Sequence, residues 1–356
     1  MLKSAKSNAI VHLAMVMWNY AKGYRRTVVV YVLLAIGAVC ADLCLPLVIG
    51  KLMNAVQSLR GEALMTQAFW LCLAYVGIGF VFEVLHRPSR ILEVGVAFRV
   101  KKAMQSDLFR KVTKLPMRWQ RDNHSGDIID QVARATESMK YATESGFEVI
   151  HVITRVIGSI IALVYLMWAA GFAVIVSGSA AVAVILLIDK YLVAQYEVLN
   201  KRFNKIAASI QDYLTNVGTV ISLRLEERVS NEVDQRTDRL HKEVVRNAMT
   251  NEFKWFSASR FVQLTQISVL YGYLYVMEGA DTAIEFGTVF TLWRYLTLVG
   301  ESFYHFTWKY GELVMLNTRV RAVEHIDESY QKLVTDEPDL LLPQGWETLE
   351  IRNLSF

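Results

Sequence analysis

Residues Met65–Leu115 read MTQAFWLCLAYVGIGFVFEVLHRPSRILEVGVAFRVKKAMQSDLFRKVTKL. Pro88 is the one strong breaker in this stretch, so about fifty residues read as a single helix. At 1.5 Å per residue that is about 75 Å, against a hydrocarbon core of about 30 Å. The first part, Met65 to Leu85, is apolar enough for lipid, whereas RPSRILEVGVAFRVKKAMQSDLFRKV is charged and amphipathic. A helix that crosses a membrane and continues far into water can carry a movement made outside the bilayer to a site inside it.

The rest of the chain repeats this segregation. Of its 356 residues 53% are hydrophobic and 20% charged, with a mean hydropathy of +0.28. That is too apolar for an ordinary soluble domain and too charged for a membrane protein with short loops throughout. Six apolar segments stand out, at 27–50, 65–87, 147–169, 171–190, 257–278 and 286–308. The last two are the least apolar. Ahead of them all, Ile10, Leu13, Ala14, Met17 and Trp18 share one helical face and Lys22, Arg25 and Arg26 follow, which predicts a helix lying in the membrane interface. No cleavable signal peptide is expected in MLKSAKSNAIVHLAMVMWNY. Cys40, Cys44 and Cys72 fall inside spans, have no His at metal-ligand spacing, and read as small apolar filler.

Lys and Arg predict the orientation. They crowd the N-terminal arm and the segments between spans two and three and between spans four and five. The three remaining connections hold Lys51 and Arg60, no charge, and acids alone. Both termini and the two long segments are therefore expected on the cytoplasmic side, with short outer loops. Each long segment reads as a helix out, a break and a helix back. The breaks fall at MRWQRDNHSGDI, after Pro116, and at QDYLTNVGTV, with Asn216 and Gly218. After span six come the linker DEPDLLLPQG and then WETLEIRNLSF, whose alternation predicts a β-strand. The expected organisation is an interfacial helix over 1–26, a six-helix membrane domain over 27–330, a linker over 331–345 and a first strand over 346–356. A single strand cannot be a domain, so more protein is expected to follow it.

Taken together, LPMRWQRDNHSGDIIDQVARATESMK, NVGTVISLRLEERVSNEV, FGTVFTLWRYL, TRVRAVEHIDE and LEIRNLSF resemble, in that order and spacing, the membrane domain of ATP-binding cassette (ABC) exporters. The resemblance covers nearly the whole chain and rests on order and topology, since no one segment is a strong motif. It implies an all-α membrane protein of six long transmembrane helices extending into the cytoplasm, the transport half of a half-transporter. It also implies that Arg118, Trp119, Gln120, Arg121, Gly126 and Asp127, and then Asp212, Tyr213, Asn216, Val217 and Gly218, form two coupling helices that touch nucleotide-binding domains. Trp119 would either fill a partner's pocket or pack between its own helices. The chain has no G-x-x-x-x-G-K-[ST] loop. ATP and Mg are thus expected in the intact transporter and not on these residues, and whether this chain counts as an enzyme is left open.

Charge inside a membrane is expensive, about 2.5–3.5 kcal/mol for an Arg or Asp at a helix centre on insertion scales. Arg294, Glu301, His305, Trp308 and Glu312 fall on one stripe of span six, with Tyr304 beside it. His151, Arg155 and Ser159 share a face of span three. Span five offers Arg260, Gln263 and Gln266, and Asp42 is the lone acid of span one. These residues either line a wet translocation pathway or pair among themselves to fix packing, and the sequence leaves both open. Glu301 and His305 are too few ligands for a metal site. The function expected is a subunit of an ATP-driven exporter of an amphiphilic or charged substrate (small molecule, lipid or peptide), working by alternating access. Its expected partners are the bilayer, a second subunit and nucleotide-binding domains, with no nucleic acid, in a bacterial inner membrane. The competing readings are a six-helix channel or regulatory subunit, disfavoured by the long overhangs, and a membrane enzyme, for which no catalytic constellation is found.

Overall fold

The computed structural model describes residues 8–123, 125–279, 283–334 and 350. The described residues are almost entirely helical, without a strand. The expected strand and most of the expected linker lie outside them, although residues 331–334 of that linker are helical. In chain order the helices are α1 (Ala9–Tyr20), α2 (Arg25–Asp42), α3 (Leu45–Ser58), α4 (Gly61–Lys114), α5 (Met117–Asp122), α6 (Ser125–Glu144) and α7 (Gly146–Leu166). They continue as α8 (Trp168–Thr215), α9 (Val217–Ser222), α10 (Glu226–Asp238), α11 (His241–Gly279), α12 (Phe286–Arg321) and α13 (Glu324–Val334).

The helix expected from Met65–Leu115 runs 54 residues and passes straight through Pro88. Its partner in length, α8, has 48 residues. Among the described residues four stretches are long and apolar enough to cross a membrane: Arg25–Ser58, Gly61–Lys114, Ser125–Leu166 and Trp168–Thr215. The fifth and sixth expected spans lie in α11 and α12, which have the length, 39 and 36 residues, but are more polar.

The first expected span is two helices rather than one. Pro46 sits in the first turn of α3, where its missing N–H costs nothing. The carbonyl of Leu43, freed at the break, accepts a 2.6 Å hydrogen bond from the buried Tyr295 hydroxyl.

The helices group into two compact units. The first comprises residues 1–42, 76–155 and 302–356. Its core is a set of stripes at helical spacing: Val96, Val100, Met104 and Leu108 from α4, Ala135, Met139 and Ala142 from α6, and Leu313, Leu316 and Val320 from α12. Each fully buried Val or Leu stabilises by about 1.5–3 kcal/mol. Polar clamps fix α1 to this core. His12 Nδ1 meets Asn317 Oδ1 at 2.6 Å and its Nε2 meets Glu324 at 3.0 Å. Tyr20 donates to Asp107 at 3.1 Å, and Lys111 joins Asp107 to Asp327 at 2.6 and 2.7 Å.

The second unit comprises residues 43–75 and 156–301. Its main feature is a long antiparallel pairing of α8 with α10 and α11. Lys254 reaches Asp189, Asn247 reaches Gln195, Arg202 reaches Glu243 and Tyr213 reaches Glu232, all within 2.6–3.2 Å. As the α8 number climbs, its partner's number falls, which is the register of a helical hairpin. At the other end of the unit, Gly50 and Gly287 let α3 and α12 touch backbone to backbone, and a Cβ at Gly287 would collide with the Gly50 carbonyl. The N–H groups of Phe286 and Gly287, orphaned at the start of α12, are taken by Gln57 and Asn54 of α3 at 3.0 and 2.7 Å.

Candidate functional site

Two kinds of site were expected: helical tips outside the bilayer and polar groups within it. The first tip is α5, which carries Arg118, Trp119, Gln120 and Arg121. Gly126 and Asp127 stand in the first turn of α6. Pro116 opens α5 and Asn123 closes it, its amide donating to the Trp119 carbonyl at 2.8 Å. The Trp119 indole N–H donates to Ser329 at 3.1 Å and the ring stacks on His325 with centroids 6.4 Å apart. Trp119 therefore packs on α13 of its own chain, and sequence reasoning had no way to name that neighbour. Beside α5 lies a groove of about 590 Å³ whose walls include Phe109, Val112, Trp119, Ile129 and Val132.

The second tip is α9, with Val217 and Gly218 in it, Asn216 at the junction and Asp212 and Tyr213 in the last turn of α8. Val217 is 45% exposed, Ile221 57% and Leu214 66%. Tyr213 is held by Glu232 at 3.0 Å. The chain turns back at Arg224, whose φ of +52° lies in the left-handed region.

Within the spans, the first unit brings together Asp42, Arg155 and His151. Arg155 Nη2 lies 2.9 Å from Asp42 Oδ2. Asp42 is thus paired across helices. The Arg155 Nε–H and His151 Nδ1 are buried and make no hydrogen bond among the described residues. A buried donor left unmet costs about 1–3 kcal/mol. His86, which the sequence reading passed over, joins this group. Its ring packs edge-on to Phe147 at 4.8 Å, and Phe147 packs edge-on to His151 at 5.4 Å. The His86 Nδ1 is likewise buried and unmet. His305 lies within electrostatic reach of His151, and Trp308 is exposed. Tyr304 neighbours Phe303, ring edge to ring face.

The second unit holds the other expected residues. Arg294 and Glu301 approach at 3.4 Å along one face of α12, both partly exposed. Gln266 donates to Thr297 at 3.2 Å. Arg260 lies 5.2 Å from the centre of the Phe256 ring, and Gln263 is exposed.

Three further charged groups were not singled out from the sequence. Glu93, past Pro88 in the middle of α4, is 0% exposed. It is bonded by Arg90 and, at 2.6 Å, by the Phe147 N–H. Burial pushes its carboxyl up to about 7 even though both donors favour the charged form. Lys309 bridges Glu148 and Glu312 at 2.9 and 2.8 Å. Lys254, nearly buried, bonds Asp189 at 2.9 Å. Near α1, burial pushes the Asp107 carboxyl up, but bonds from Lys111, Arg110 and Tyr20 outweigh it and hold the group below its ordinary range. No cluster of His, Cys, Asp or Glu among the described residues could hold a metal.

The sequence of these helices and tips matches a known family. The family described as ABC transporter transmembrane region covers residues 28–303. The chain belongs to that family. A search of curated proteins returned no match. Membership makes the chain a membrane-embedded subunit of an ABC transporter, with the exporter-type transmembrane fold, a nucleotide-binding domain as partner and a transported substrate. Tips α5 and α9 sit inside the matched region, as do Asp42, His86, His151, Arg155, Arg294 and Glu301. The sequence holds no G-x-x-x-x-G-K-[ST] phosphate-binding loop.

Proposed function

We propose that this chain is the transport half of an ATP-driven exporter that moves an amphiphilic or charged substrate by alternating access. In this reading α5 and α9 are the coupling helices. Nucleotide-binding domains dock on them, and ATP with Mg is hydrolysed in those domains. Six spans, with α11 and α12 supplying the last two, and cytoplasmic termini complete the topology. One chain supplies half of the helices that enclose a pathway, so the working unit is a dimer. The observation that carries the proposal is the length of α4 and α8. At 54 and 48 residues they extend about 80 and 70 Å, far past any bilayer, and each leads to a short turned helix. A passive channel has no use for such arms, whereas a transducer of movement needs them.

The test is reconstitution of the intact transporter in proteoliposomes. ATP-dependent uptake into inside-out vesicles is the expected result. Uptake that runs equally without ATP would return the chain to the channel class. Topology is checked separately, in a background with Cys40, Cys44 and Cys72 replaced. A cysteine at Arg60 should react with an impermeant reagent added outside the cell. Labelling from the cytoplasmic side alone would defeat the orientation.

A further inference from the structure

We propose, resting on the transporter reading above, that His86, His151 and Arg155 form a receiving site for the acidic headgroup of an amphiphilic cargo, with Asp42 as the fixed counter-charge. The cargo class is a carboxylate or phosphate ester carried on a hydrocarbon body.

The site is built on unmet polar atoms, of which the Arg155 Nε–H is necessarily a donor. Arg155 spends one nitrogen on Asp42 at 2.9 Å, and its buried Nε–H has no acceptor among the described residues. A guanidinium N–H is a donor under all conditions, so what it lacks is an oxygen acceptor. The Nδ1 atoms of His151 and His86 are buried and equally unmet. His151 and Arg155 stand one helical turn apart on α7, about 6 Å along its axis. His86 reaches the same group from α4 through Phe147, whose ring lies 4.8 Å from one imidazole and 5.4 Å from the other. Imidazole, phenyl, imidazole and guanidinium thus follow one another from the end of span two into span three. Polar groups alternate with an apolar surface, as an amphiphile requires.

The balance of charge decides the sign. Two carboxylates act on the cluster, and both are already paired: Asp42 with Arg155, and Glu83, within electrostatic reach of His86, with Arg87. A cationic headgroup would find no open acid, and His305 adds a further basic group near His151. An acid supplies the acceptor that the Arg155 Nε–H lacks, in a charge-assisted hydrogen bond. A metal reading of the imidazoles fails, because the described residues provide no set of three ligands.

The test is direct binding to the intact detergent-purified transporter, followed by transport in phosphatidylcholine vesicles. The probes are dodecanoate, dodecyl phosphate, dodecanol and dodecyltrimethylammonium, with acetate and inorganic phosphate as tailless competitors. The two acids should bind at least tenfold more tightly than the alcohol or the ammonium. H86Q and H151Q should each weaken acid binding about fivefold to tenfold and leave dodecanol binding unchanged. Removing Arg155 alone strands Asp42, so the paired variant D42N/R155Q keeps the site uncharged, and it should erase the preference for acids. Equal affinity for all four headgroups, or a preference for the ammonium, overturns the proposal. So does discrimination that survives D42N/R155Q. Acetate or phosphate competing at the same concentration as dodecanoate also overturns it, in favour of a soluble anion. Binding is read without ATP, so its failure is separate from failure of ATP-driven uptake, which would strike the transporter reading instead.

Discussion

The two tips differ in what holds them. Tip α5 is bolted to its own chain: Trp119 bonds Ser329, stacks on His325, and so ties the first arm to α13. Tip α9 rests, among the described residues, on its own hairpin, and its apolar side chains Val217 and Ile221 are exposed. The comparison teaches that two tips in matching sequence roles need not work the same way. A tip fixed to α13 moves with the helix that leads out of the membrane domain. A tip on a bare hairpin gains its partner only from outside. Substitutions should therefore read out differently at the two places.

The largest effect is expected at α9. V217D and I221D place charge on surface that is apolar and about half exposed, so little packing within the subunit is lost. Transport by the intact transporter should fall at least tenfold, which is about 1.4 kcal/mol of lost docking. Thermal stability should change little. Loss of stability without loss of coupling would place Val217 and Ile221 inside a fold and erase the contrast. W119A should do the reverse. It removes a half-buried aromatic and its hydrogen bond, for about 1–2 kcal/mol, below the 3–5 of a fully buried ring. The expected readout is a lower unfolding midpoint, with a smaller transport loss than V217D gives. An unchanged midpoint would mean that α5 is as free as α9.

How much of this was legible follows from where the information lay. The reach of α4 was written in one run of sequence, Met65–Leu115, because a long helix announces itself by lacking breakers. The tips were legible for the converse reason, through Pro116 and through Asn216 with Gly218. The break at Leu43 was not, although Pro46 was in view. A proline so placed can kink or end a helix, and what fixes the outcome is the hydroxyl of Tyr295, 252 residues away. The pairing of Asp42 with Arg155 was foreseen only as one of two readings, since 113 residues separate them. His86 was passed over because EVLHRPSR reads as a chain leaving the bilayer. Its significance comes from Phe147 on another helix. Sequence periodicity names faces, and a face does not name its partner.

A smaller effect bears on the first unit, which holds α5. Glu93 lies midway along α4, and its folded pKa is raised from 4.5 to about 7, chiefly by burial. The folded state therefore holds the proton more tightly than the unfolded chain does. The stability linked to that proton is complete below about pH 4.5 and is lost as pH rises through about 7. Unfolding midpoints of the wild type should thus drop between pH 5 and 8, and E93Q should flatten the drop. An E93Q profile as steep as the wild type would mean that another group titrates there. V217D should leave the slope untouched, because α9 has no part in this network.

The smallest effect tests whether α9 has any strain of its own. Arg224 closes the turn after α9 with a φ of +52°, a conformation that costs a side chain with a Cβ about 1–2 kcal/mol. Glycine adopts it freely but loses about 0.5–1 kcal/mol more on folding. The difference favours R224G by about 0.5–1 kcal/mol. The Arg224 side chain is exposed and makes no ion pair among the described residues, so little else is removed with it. A unit held by external partners should show this gain in the isolated subunit and show it less when nucleotide-binding domains already brace the tip. If R224G instead destabilises the isolated subunit, the turn is not strained as its backbone angle indicates. If the gain is equal with and without the domains, the hairpin is already rigid, and the contrast with α5 narrows to a difference in which surface each tip offers.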